Sequence, residues 1–96
     1  MIDPKEIEMQ VYADNGIHPD LAALLMKFNR MKNMYVIIND TNVIVEDNAG
    51  NSFLFGKQQK GKCSMPTTVF HRPIDGGTNV ISMKQFLKAL EKMLYK

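Results

Sequence analysis

Between residues 4 and 31 the apolar side chains recur three and four positions apart, from 34 to 55 they gather in short unbroken runs, and from 83 onward the wider spacing returns. The first and third patterns put apolar groups on one face of a helix; the middle one is that of short strands.

The helical segments carry their own stop and start signals. Asp3-Pro4-Lys5-Glu6 places a capping acid before a proline suited to the first helical position, with Glu6 spaced for a capping box and Ile2 for a staple onto Ile7. This helix is expected to run to about Asp14, where Asn15-Gly16 tolerates the positive φ of a helix end. A second helix begins at Pro19-Asp20 and aligns Leu21, Leu24, Leu25, Phe28 and Met31 along one face. Lys27, Arg30 and Lys32 crowd its last turn, where cations favour the free carbonyls. Near the C-terminus, Ser82 and Gln85 form a capping box, Ile81 is placed to staple onto Phe86, and Met83, Phe86, Leu87, Leu90, Met93 and Leu94 repeat at helical spacing.

Met34–Ile38, Val43–Val45 and Ser52–Phe55 are β-branched or aromatic runs separated by Asn39-Asp40-Thr41-Asn42 and Asp47-Asn48-Ala49-Gly50-Asn51. Short strands joined by such turns form an antiparallel meander. A fourth strand, Thr67–Arg72, follows the loop 57–66, with its place in the sheet open. The expected architecture is α+β: two N-terminal helices, a three- to four-stranded antiparallel β-meander and a C-terminal amphipathic helix, forming one domain over residues 1–96. The strands are apolar at consecutive rather than alternate positions, which calls for shielding on both faces. Either helices lie on both sides or a second copy of the chain covers one.

Composition narrows the class. Hydrophobic residues at 45% and charged residues at 23% are those of a chain with a packed core. The N-terminus lacks the basic-then-apolar order of a secretion signal, and no apolar run approaches the roughly 20 residues that span a bilayer. With a single cysteine, Cys63, the expected setting is the reducing cytoplasm. Charge is lopsided: four basic groups face eight acidic ones up to residue 47, and eight face two thereafter. That asymmetry points to an anionic partner or to a dipolar molecule, unless the halves interleave in space.

No set of residues announces catalysis. Cys63, His71 and Asp75 contain the groups of a nucleophilic triad, but no motif of a cysteine enzyme surrounds Cys63. His18 and His71 are not spaced as a zinc pair, and the acidic turns lack the downstream glutamate of a calcium loop, so neither metal nor cofactor is expected. Asp75-Gly76-Gly77-Thr78-Asn79 stands between a strand and a helix, where a phosphate can bind, without the spaced glycines and lysine of a nucleotide loop.

The informative local feature is Gly56-Lys57-Gln58-Gln59-Lys60-Gly61-Lys62, with three lysines and no acid. Together with Arg72 and the stripe Lys84, Lys88, Lys92, it is the candidate binding surface. Two functions follow. One is a small non-enzymatic regulatory or inhibitory protein that docks on another protein, its eight methionines suiting adaptable contacts and its charge asymmetry orienting the encounter. Small proteins of viruses and mobile elements have this make-up. The other is nucleic-acid binding through Lys57, Lys60, Lys62, Arg72 and the helical lysines, although two arginines and no spare aromatic make a sparse reading surface. A solvated hairpin tip that keeps a sheet edge soluble has the same composition as the 56–62 loop.

Overall fold

Helix α1 (Pro4–Asp14) starts where its capping chemistry dictates: Asp3 Oδ1 accepts the Lys5 backbone N–H at 2.9 Å and Pro4 takes the first turn. The computed structural model describes residues 3–59, 61 and 64–95. The expected Ile2 staple, and the candidate residues Lys60, Lys62 and Cys63, lie outside the described residues. Glu6 contributes only its backbone N–H, bonded to the Asp3 carbonyl. Helix α2 (Pro19–Asn29) is capped by a group that the sequence does not advertise: His18 Nδ1 accepts the Asp20 N–H at 3.1 Å.

Five strands follow, β1 (Tyr35–Ile38), β2 (Asn42–Glu46), β3 (Ser52–Gly56), β4 (Thr68–Arg72) and β5 (Asn79–Ser82), then helix α3 (Met83–Leu94). They form one antiparallel sheet in sequence order. The expected α+β architecture is present with five strands rather than three or four. The added strand, β5, offers only Val80-Ile81 as an apolar signal, and Ser82 ends it while capping α3. It pairs with β4 from Thr68↔Ser82 to His71↔Asn79, a hairpin that so short an apolar signal does not announce. The glycine-rich segment 75–79 is therefore a hairpin connection, not a strand-to-helix loop; Gly76 and Gly77 take φ of 96° and 80° there.

The capping box of α3 is complete. Ser82 Oγ accepts the Gln85 N–H at 3.1 Å, and Gln85 Oε1 accepts the Ser82 N–H at 2.9 Å.

Helices α2 and α3 lie on one face of the sheet, and α1 packs on α2. Val43, Val45, Phe53, Phe55 and Val69 alternate toward that face and are buried with Leu21, Leu25, Phe28, Phe86 and Leu90. Burial of this set supplies roughly 1.5–3 kcal/mol per side chain. No helix of the described residues covers the other face, so helices do not shield both sides as the consecutive apolar runs allowed. A transverse row crosses it instead: Ile37 pairs with Ile44, Ile44 with Leu54, Leu54 with Phe70, and Phe70 with Val80. Ile37, Phe70 and Val80 in this row are exposed, Ile44 and Leu54 half-buried. No helix of the described residues is long and apolar enough to cross a membrane.

Candidate binding groove

On the helix-covered side, the sheet's register sets the floor of a groove. Phe53 of β3 pairs with His71 of β4, and both point toward α3. Their rings stack 4.6 Å apart at 7°. Phe86 of α3 rests on Phe53 with centroids 5.1 Å apart, which anchors the helix over the sheet. The next positions outward on α3, Gln85, Lys88, Ala89, Lys92 and Met93, form one wall.

The opposite wall is the β2–β3 turn. Asp47 Oδ1 accepts the backbone N–H groups of Ala49 and Asn51, each at 2.9 Å, and Oδ2 accepts Asn51 Nδ2 at 3.0 Å. These bonds make the turn rigid and leave Asp47 and Asn51 facing the helix across an open groove of about 1220 Å³. Tyr95 closes one end. Its hydroxyl accepts from Lys27 Nζ of α2 at 3.3 Å, and the same ammonium sits 5.8 Å from the ring centroid.

The groove is apolar at its base and charged with both signs at its rim: Lys88 and Lys92 beside Asp47 and Glu91. One polar atom at the base stands out. His71 Nε2 is removed from solvent and has no hydrogen-bond partner among the described residues.

Among the described residues, the predicted binding residues are not gathered on one surface. Lys88 and Lys92 line the groove, and Lys84 is exposed one turn earlier without lining it. Arg72 follows the alternation of β4 onto the opposite, open face. Lys57 is half-buried, its Nζ 2.7 Å from Asn15 Oδ1, so the start of the basic loop straps β3 to the α1–α2 turn. That strap is close: a Cβ on Gly16, at φ 72°, would meet the Gln58 carbonyl oxygen at 2.2 Å. Within the suspected triad, His71 is part of the groove floor and Asp75 sits in the exposed turn after β4; no hydrogen bond joins them. No group of three metal-ligating side chains occurs among the described residues.

Asp47, Asn51 and Tyr95 had no functional signal in the sequence. Asp47 and Asn51 are turn formers by composition, and only the sheet register brings them opposite α3.

No protein-family model, no curated protein and no solved structure matches this chain.

Proposed function

We propose that this chain is a non-enzymatic regulatory or inhibitory protein of the cytoplasm that docks on another protein through the groove between α3 and the β2–β3 turn. The observation that carries the reading is the groove's construction: an apolar lining that includes Phe53, Ala89 and Met93, under a rim of opposite charges. Such a site suits an amphipathic protein segment with one apolar anchor and an acidic flank. The anchor displaces water from the base, and the flank meets Lys88 and Lys92, which stand one helical turn apart.

The mixed rim also favours protein over nucleic acid. A phosphate backbone would meet the carboxylates of Asp47 and Glu91 along with the lysines, and like charges brought together are unfavourable. Outside the groove, Lys57 is engaged by Asn15 and Arg72 stands on the opposite face of the sheet.

Selection from a displayed random-peptide library against the purified chain tests this. Enriched peptides are expected to combine an aromatic or large aliphatic residue with neighbouring acids, to shift the NMR resonances of Ala89 and Met93, and to lose affinity about tenfold or more in Lys88→Glu/Lys92→Glu. Labelled single-stranded and duplex DNA or RNA serve as the counter-probe. If these bind at low salt, weaken steeply with added salt and respond to the same substitutions while no peptide is enriched, nucleic-acid binding replaces this reading.

A further inference from the structure

The open sheet face carries information about what covers it. Its centre is the row Ile37, Ile44, Leu54, Phe70 and Val80. One flank holds Tyr35, Glu46, Ser52 and Arg72 in register; the other holds the uncharged Asn42, Gly56, Thr68 and Ser82. Of the strand residues on this face, only Glu46 and Arg72 are ionic, and they carry opposite signs. They lie at the same height on β2 and β4, one strand to either side of β3, because Glu46 pairs with Ser52 and Ser52 with Arg72. At about 4.8 Å per strand their backbones are roughly 10 Å apart. Neither has an ion pair within the chain among the described residues.

We propose that the open face is a homodimer interface in which two sheets pack face to face about a two-fold axis parallel to β3. That operation lays β2 of one protomer over β4 of its partner and leaves β3 over β3. Glu46 then faces the partner's Arg72, and Arg72 faces the partner's Glu46, two reciprocal pairs generated by one surface. The same rotation sets Ile44 against the partner's Phe70 and Ile37 against the partner's Val80, large against small at both edges of the row. Running the axis across the strands instead would put Glu46 near the partner's Asn42 and leave Arg72 near Thr68, with no pairing of charge. The face is self-complementary in the first arrangement, as an isologous interface requires. Aligned sheets about 10 Å apart, at the usual angle near 30°, accommodate side chains of this size.

In the dimer the helices form the two outer layers, so both α3 grooves stay open and a partner with two sites is engaged bivalently.

Charge reversal tests the pairing. By sedimentation equilibrium the purified chain is expected to have twice the mass of one chain. Glu46→Arg and Arg72→Glu, each alone, put like charges opposite one another at both positions and weaken dimerisation at least about tenfold. An equimolar mixture of these two variants restores the dimer, because one then carries two arginines opposite the other's two glutamates. Restoration on mixing excludes an effect through the pairing within a chain, where both variants stay mismatched. Phe70→Glu removes the apolar contact and yields monomer, and circular dichroism of all three variants shows whether each is folded. A wild-type monomer at every concentration overturns the proposal, as does a dimer whose mass is indifferent to all three substitutions or a mixture that fails to recover.

Discussion

The imidazole of His71 lies flat against the ring of Phe53, 7° from parallel, while its Nε2 is buried without a hydrogen-bond partner. The two facts separate what the residue contributes as a ring from what it contributes as a polar group. A stacked pair is worth about 0.5–1.5 kcal/mol beyond area burial. A buried polar atom left unpaired costs about 1–3 kcal/mol.

His71→Phe is therefore expected to leave stability unchanged or raise it, while His71→Ala lowers it by about 1–2 kcal/mol. Urea unfolding of both variants checks the sign. Loss of stability in His71→Phe would mean that Nε2 has a role which the folded chain alone does not reveal.

Gly16 is a second position where geometry dictates the residue. Its φ of 72° is costly for any side chain, and a Cβ there collides with backbone at Gln58. Gly16→Ala is expected to destabilise by more than about 1 kcal/mol. Lys57→Met, which removes the 2.7 Å bond to Asn15, should cost about 1 kcal/mol. Thermal unfolding of the single and double variants should show less than additive losses, since both act on the same strap.

Ser82 ends β5 and caps α3. Ser82→Ala removes one half of a two-way cap and is expected to cost about 1 kcal/mol. Ser82→Asp keeps an acceptor there and should cost less, a ranking that guanidinium unfolding can resolve.

Tyr12 is buried at the α1 end of the core, and its phenol is pushed up to about 12, first by burial and then by the nearby Glu8 carboxylate, with Arg30 opposing. The unfolded chain loses this proton near pH 10, before the folded chain does. The stabilisation is thus full below pH 10 and declines between about 10 and 12, where the unfolded state binds fewer protons. The loss is on the order of 2 kcal/mol. Tyr12→Phe should flatten this part of the stability-against-pH curve and remove from the ultraviolet difference titration a phenol that ionises near pH 12.

Two of the candidate binding lysines, Lys88 and Lys92, were legible as a helical stripe because their spacing is short-range. Their neighbours across the groove were not, since Asp47 and Asn51 carry only the local chemistry of a turn.

By itself the sequence determined the segments whose causes lie within a few residues. Asp3-Pro4, Asn15-Gly16 and the Ser82–Gln85 box mark helix ends through side chains that reach their own backbone, and the runs at 34–38, 43–45 and 52–55 declare strands through residue type. Tertiary structure alone decided the fifth strand, the seating of α2 and α3 on one face, the strap from Lys57 to Asn15 and the alignment of Glu46 with Arg72. Each depends on backbone pairing or packing that reaches beyond a single element. Strand register, which assigns every side chain to a face, is the long-range choice that set them.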